Sequence, residues 1–419
     1  MAKIHIKSIG RARFSHSLTD DLKMIIRTLT SNDDPHNVIQ FEKQFALYTG
    51  REICVTFSMA RTALYFVLRG LEAQPGEKIL MPPITIKALL DVVLDAKLIP
   101  VFADLNLSTG CFDADDLKSV IEKEKPAYCL LTYLYGISPE MEAISNVLSE
   151  NNVTIIEDFS QGLNLGPDSE IWSGRVGKVS IYSASNIKTL DSYGGGFTVT
   201  DDLALANKLR DFQSKLKFPK KSQVLKKVIA SFIKNFASSP LCFNLITFPI
   251  IRFFSLLRLN NFDRFVGNRS IQPIQELPEA WFYRLSGHQA GAALRYLPSV
   301  RSVEKARKNY AEFIFTKIHD LNIVGRQRTN ESVFWQLIVI LDDHEEFRSF
   351  LRKKGIDSAY SSLINISKLP LYGIDGVTPN AERLYACGVY IPCYASLSTR
   401  DKIYISKVLH EYQQRSRAA

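Results

Sequence analysis

The stretch Ile181–Val199, IYSASNIKTLDSYGGGFTV, holds a single lysine, Lys188, between the hydroxyls of Ser183 and Ser185 and three successive glycines, Gly194–Gly196. An amine flanked by apolar runs has little use as a packing group, yet once deprotonated it is a nucleophile toward carbonyl carbon. Thirty residues earlier, VTIIEDFSQG ends an apolar run in Glu157 and Asp158, with Gln161 just beyond. A carboxylate there needs a cation or a protonated ring nitrogen to meet it. Further upstream, SMARTAL sets Ser58, Ala60, Arg61 and Thr62 at an expected helix start. Free N–H groups and the helix dipole favour a phosphate at such a place.

One acid, one lysine, hydroxyls and a phosphate-ready helix start together match what pyridoxal 5′-phosphate (PLP) requires. The lysine joins the aldehyde, the acid keeps the ring nitrogen protonated and the helix start holds the phosphate. Each feature has a plainer reading too: a solvated lysine, a helix-capping acid, a glycine turn. Their order and spacing favour the joint reading.

The elements that must position these residues alternate helix and strand. NVIQFEKQFALYTG reads as a helix stopped by Gly50, EICVTF as a strand, and SMARTALYFVLRGL as the helix behind it. EKILMPP and LIPVFAD are strands around the helix IKALLDVVLDA, and AYCLLTYLYG, VTIIEDFS and KVSIYSA are further buried strands. Phe197–Thr200 pairs or turns back, and DLALANKLRDFQ is helical. The pattern predicts an α/β fold: a large PLP-binding domain, residues 1–212, with a mainly parallel central sheet between helices. Open sheets of this kind bind ligands at their carboxyl ends. From residue 271 to 419, mixed helices and strands predict a smaller C-terminal α+β domain.

Residues 213–270 interrupt this rhythm. Between Phe212 and Phe262 stand seven lysines and two arginines with no acid, and these account for the whole net charge of +9. Charge gathered in one segment does not suggest a nucleic-acid face. Val224, Leu225, Val228, Ile229, Phe232, Ile233 and Phe236 fall on one helical face. The 17-residue uncharged run Asn235–Ile251 is short for a span and is broken by Pro240 and Pro249. Either this segment lies on a membrane surface or a partner, or it packs internally with its lysines solvated. The six cysteines lack metal-ligand spacing, and no metal site is expected. Reduced thiols and an N-terminus without a signal-like apolar core lead us to expect a cytoplasmic protein, in contact with the inner membrane face if the segment binds lipid.

Over most of its length outside 213–270 and the extreme N-terminus, the sequence resembles the DegT/StrS family of PLP-dependent sugar aminotransferases. SMARTALYFVL is similar to the phosphate-helix motif SGTAAL or SGRTAL, and TYLYGISPEMEAI to HLYGxPADMDAI. IIEDFSQ resembles VIEDAAQ, and YSASNIKTLDSYGGGFTVTDD resembles SFxxxKNLTTGEGGMVVTND. FYRLSGHQAGAAL and PNAERLYACGVYIPCYASLSTRD resemble NYRMSDLQAALG and PxAERxxxxxLSLPLYPSLT. The resemblance implies the fold of the aspartate-aminotransferase type and a homodimer. It implies Lys188 as the covalent and proton-transfer residue, Asp158 as ring-nitrogen partner and Gln161 as ring-hydroxyl partner. Ser183 and the backbone of Ala60 and Arg61 would hold the phosphate.

Four departures stand out. Ile86 replaces a ring-stacking aromatic, Gly194 replaces the acid of GEGG, Ala60 replaces glycine, and Phe282 replaces the asparagine before YR. Arg284 could bind an anion or serve a structural contact. The resemblance implies transfer of an amino group from an amino acid, L-glutamate, to a keto sugar, nucleotide-linked, in surface-polysaccharide or secondary-metabolite sugar biosynthesis. The competing expectation is a catalytically altered PLP-fold protein acting at a membrane surface or as a regulator.

Overall fold

The structure, a computed structural model, describes residues 8–163, 176–256 and 271–418. Seven strands make the central sheet: β1 (Ile53–Phe57), β2 (Lys78–Met81), β3 (Ile99–Phe102), β4 (Tyr128–Thr132), β5 (Thr154–Asp158), β6 (Val179–Ser183) and β7 (Gly196–Thr200). Their order across the sheet is β1-β7-β6-β5-β4-β2-β3. The steps between β3, β2, β4, β5 and β6 are parallel. Only β7 runs backward, antiparallel to both β6 and β1, so Phe197–Thr200 both turns back and pairs.

The central strands β4, β6 and β7 are buried along their whole length, as expected for strands covered on both faces. On one side the helix Ala60–Gly70 buries Leu64, Val67 and Leu68 together with Leu90 and Val93 of the helix Lys87–Asp95. On the other, Phe41 and Phe45 of the helix His36–Thr49 pack against Phe197 and Tyr182. Gly50 ends that helix in the left-handed region (φ 65°), as its position suggests.

A second, antiparallel sheet follows, of β8 (Asn322–Ile323), β9 (Leu337–Ile340), β10 (Ala359–Tyr360) and β11 (Gly388–Ile391), in the order β8-β9-β11-β10. Helices His344–Lys353 and Thr399–Ala418 pack beside it. Two stretches cross between the units. Ile9 bridges Ile356, and Arg11 pairs with Asp357 at 2.6 Å, so the first described residues lie with the C-terminal unit. Conversely, the helix Gly287–Tyr296 lies on the helix His36–Thr49, burying Ala290, Ala293 and Leu297 within the chain. Those residues are therefore not an available surface.

The helix Lys221–Ser238 packs on the helix Leu18–Thr30 through Val224 and Val228, with Ser231 and Asn235 also buried. The apolar arc is wider than this contact. Ile229, Ile233, Phe236, Leu241, Leu245, Ile246, Ile250 and Phe253 are exposed, while Phe243 and Phe248 turn inward. Among the described residues no single helix is long and apolar enough to cross a membrane. Lys221–Ser238 and Pro240–Ser255 reach that length only together, bent by 56°.

Candidate active site

The carboxyl ends of β1, β5 and β6 and the amino end of β7 meet at one edge of the sheet. Register pairs Phe57 with Gly196 and Gly196 with Ser183, and aligns Thr132, Asp158 and Ile181. Strand alternation sends the two acids of β5 to opposite faces. Glu157 is spent on the far side, accepting from Gly177 N at 2.9 Å, Tyr133 Oη at 3.0 Å and Ser180 Oγ at 3.1 Å. Asp158, buried, accepts from Ser160 N at 2.9 Å and Thr132 Oγ1 at 3.1 Å. No cation of the described residues lies within ion-pair distance of it. Burial pushes its carboxyl above the ordinary range, against the pull of those two donors and of Lys188.

Lys188 follows β6 in a tight loop, and its Nζ lies 3.8 Å from the centre of the Trp335 ring. The Trp335 indole N–H donates to the Ile187 carbonyl at 3.0 Å, tying the C-terminal unit to this loop. Behind it, buried Arg307 donates to Thr189 Oγ1 at 2.9 Å. Burial lowers the Lys188 amine from 10.5 to about 8, with Asp158 pulling it up and Arg307 pushing it down. Trp335, Arg307 and Thr132 are the neighbours that reading the sequence missed. Trp335 and Arg307 lie far along the chain, and no local motif marks them.

The helix Ala60–Gly70 starts at Met59 without a side-chain cap. The Ser58 and Thr62 hydroxyls both donate to the Trp281 carbonyl. Gly196 explains the glycine run. A Cβ there would stand 2.1 Å from the Met59 carbonyl carbon and 2.2 Å from the Ala60 nitrogen, so only glycine lets the helix start reach the sheet. Ser183, one strand over from Gly196, places its hydroxyl 3.2 Å from Ser185 Oγ. Gln161 accepts from Tyr135 N at 2.8 Å through its oxygen, which leaves its NH2 end as donor.

The structure places three of the departures from the motif, and Arg284. Phe282 packs edge-on to Tyr65 at 4.8 Å and joins the aromatic cluster with Phe66. Gly194 (φ +125°) faces Lys227, whose Nζ would lie 3.7 Å from a Cβ there and whose amine burial depresses. Ile86 precedes the helix Lys87–Asp95 and is partly exposed. Arg284 makes a structural contact: it donates to the carbonyls of Gln213, Ser214 and Leu216, closing the end of the helix Leu203–Lys215.

This strand order, with one reversed strand and a second, α+β unit, defines the fold of PLP-dependent aminotransferases of type I. The solved structure of Helicobacter pylori PseC, an aminotransferase involved in the biosynthesis of pseudoaminic acid, matches with a TM-score of 0.71. It shares 17% identity and covers 97% of this chain and 98% of its own. At that identity the likeness speaks for the fold. The sequence profile of the DegT/DnrJ/EryC1/StrS aminotransferase family matches residues 19–239 and 249–410, and the chain belongs to this family. The profile runs through most of 213–270 and leaves only 240–248 between its two stretches.

Among individual relatives, the 3-oxo-glucose-6-phosphate:glutamate aminotransferase of Bacillus subtilis (strain 168) is 27% identical over 276 residues, 64% of this chain and 59% of that protein. The GDP-perosamine synthase of Escherichia coli O157:H7 is 22% identical over 382 residues, 90% of each chain. The matched region spans about half the length of several curated relatives, 49% in the case of the Bacillus subtilis spore coat polysaccharide biosynthesis protein SpsC.

Proposed function

We propose that the chain is a PLP-dependent aminotransferase that moves an amino group from an amino acid, L-glutamate, to the keto group of a sugar, nucleotide-linked, in surface-polysaccharide or secondary-metabolite sugar biosynthesis. The observation that carries this reading is the meeting of Lys188 and Asp158 at the carboxyl ends of neighbouring strands, beside an uncapped helix start. The names of the two relatives above, one a glutamate aminotransferase and one a GDP-sugar synthase, support the substrate pair.

The residues fit the cofactor. Asp158 is a buried acid without an ion-pair partner among the described residues, and Gly196 lets the helix start at Met59 reach the same edge of the sheet. The chemistry PLP supplies when bound is an aldehyde that condenses with amines and a protonated ring that takes up electrons. Asp158 would hold the proton on the ring nitrogen, and the Gln161 NH2 would donate to the ring hydroxyl. Ser183 Oγ–H and the N–H groups of Ala60 and Arg61 would hold the phosphate. Lys188 Nζ, near half-protonated at about pH 8, can take the proton leaving the donor's α-carbon and return one to the acceptor. The Trp335 face steadies its charged form.

Borohydride reduction of the PLP-loaded protein followed by peptide mapping tests the assignment. The pyridoxyl label is expected on Lys188, and label on another lysine overturns it.

Two statements about assembly belong to the same proposal. The working unit is a homodimer, supported by the exposed stripe Leu22, Ile26 and Leu29 on the helix Leu18–Thr30. The segment around Lys221–Leu256 touches a membrane surface, supported by its exposed apolar side chains and by Lys220, Lys221, Lys226 and Lys234 beside them.

A further inference from the structure

The loop that carries Lys188 is held by one buried carboxylate. Asp191 Oδ2 accepts from Ile187 N at 2.9 Å and Asp191 Oδ1 from Tyr193 N at 3.1 Å. Both of those residues are non-glycines in the left-handed region, φ 64° and 63°, conformations that persist only when surroundings enforce them. Asp191 in turn meets a histidine from the far end of the chain. His16 Nε2 lies 3.3 Å from Asp191 Oδ2, and His16 Nδ1 lies 3.0 Å from Asp21 Oδ1. All three side chains are fully buried. Asn235, from the helix Lys221–Ser238, donates to Asp21 Oδ2 at 2.8 Å and to the His16 carbonyl at 3.1 Å.

The geometry points to His16 as a positioning residue for Lys188: its imidazolium, clamped between Asp21 and Asp191, fixes the loop Ile187–Tyr193 from which Lys188 projects. This rests on the assignment of Lys188 made above. Two buried carboxylates with no cation between them would repel and seek water, and Asp191 could then no longer hold two strained amides. The surroundings of the imidazole favour its charge. Burial opposes it, but Asp191 and Asp21 outweigh burial and raise the group to about 9. The other groups facing it are the rings of Phe14, Tyr193 and Tyr296, and the Asn235 amide. The motif KNLTTGEGG has threonine where this chain has Asp191, so the clamp accompanies that change. Through Asn235, it also gives the basic helix Lys221–Ser238 a part in the site.

The variant H16Q tests this in the full-length protein, by two readouts. Amide hydrogen exchange without cofactor reports the clamp: at neutral pH, exchange at Ile187 and Tyr193 should quicken, while Val179–Ser183 stays protected. With PLP bound, kcat should fall about tenfold or more, as expected when a reacting group is displaced, while the donor KM changes little. The pH at which the near-visible band of the holoenzyme shifts should also move. Unchanged loop exchange in folded H16Q overturns the clamp. Faster exchange with unchanged kcat and band overturns the positioning of Lys188. If the wild type gives no Lys188 label on borohydride reduction, the earlier assignment fails, and the exchange result still decides the clamp. Should H16Q not fold, N235A removes the donor to Asp21 and to the His16 carbonyl while keeping the imidazole, and should show the same changes at smaller amplitude; no change in N235A loop exchange then overturns the proposal.

Discussion

Gly196→Ala isolates the contact on which the phosphate cradle depends. The added carbon would stand 2.1 Å from the Met59 carbonyl carbon and 2.2 Å from the Ala60 nitrogen. Non-bonded carbons sit about 3.5 Å apart at closest comfort, so the contact must open by about 1.4 Å. β7 cannot yield easily, since it is laddered to β1 at five residue pairs and to β6 at four. The helix start yields instead. A donor drawn back by that much from a bond of about 2.9 Å no longer makes one. Losing two bonds to a charged phosphate removes about 3 kcal/mol, or about a hundredfold in PLP affinity. The crowding itself should destabilise the fold by about 1–3 kcal/mol, a melting shift of a few degrees. PLP titration by absorbance and calorimetry measure the two effects separately. PLP affinity within a few-fold of wild type, with lowered stability, would show that the helix start is not the phosphate cradle. Neither effect appearing would refute the steric reasoning altogether.

The other predictions concern charge and surface. Amine-labelling of Lys188 in cofactor-free protein should follow a titration centred near pH 8. Asp158→Asn should move that midpoint lower and Arg307→Met should move it higher; mass-spectrometric labelling rates check both signs. His16 has a folded pKa of about 9 against 6.5 for the free group. Its raised value means the stabilisation is complete below about pH 6.5 and is lost as pH rises through about 9, on the order of 3 kcal/mol in all. The melting difference between wild type and H16Q should therefore shrink across that window, and a difference that grows with pH would contradict the ion pairs. Anionic vesicles at low salt should pellet the protein, with about 1 kcal/mol from each lysine near the surface. Changing Lys220, Lys221, Lys226 and Lys234 to glutamate should abolish this co-sedimentation. Sedimentation of active protein should give a dimer at micromolar concentration, and a monomer would refute that assembly.

What the sequence determined by itself was the frame. Fully buried strands must be unbroken runs of Val, Ile, Leu and aromatic residues, so β4, β5 and β6 stand out between amphipathic helices, and Gly50 announces its helix end. Asp158 and Lys188 were visible because each breaks an apolar run at the point where such a sheet meets its ligand. Tertiary structure decided the rest. Strand alternation separates Glu157 from Asp158, but only the packed sheet shows which acid faces the site. Trp335 reaches Ile187 from 148 residues away, and Asn235 reaches Asp21 across 214. Such contacts depend on how helices and sheets stack, and no local period records them. The same holds for Gly196, whose need for a bare α-carbon arises only because a helix start from residue 59 lands upon it. It holds as well for the helix Lys221–Ser238. Its apolar arc is plain in the sequence, while the split between residues that bury Val224 and Val228 and those left facing outward comes from the width of the helix Leu18–Thr30 beneath it.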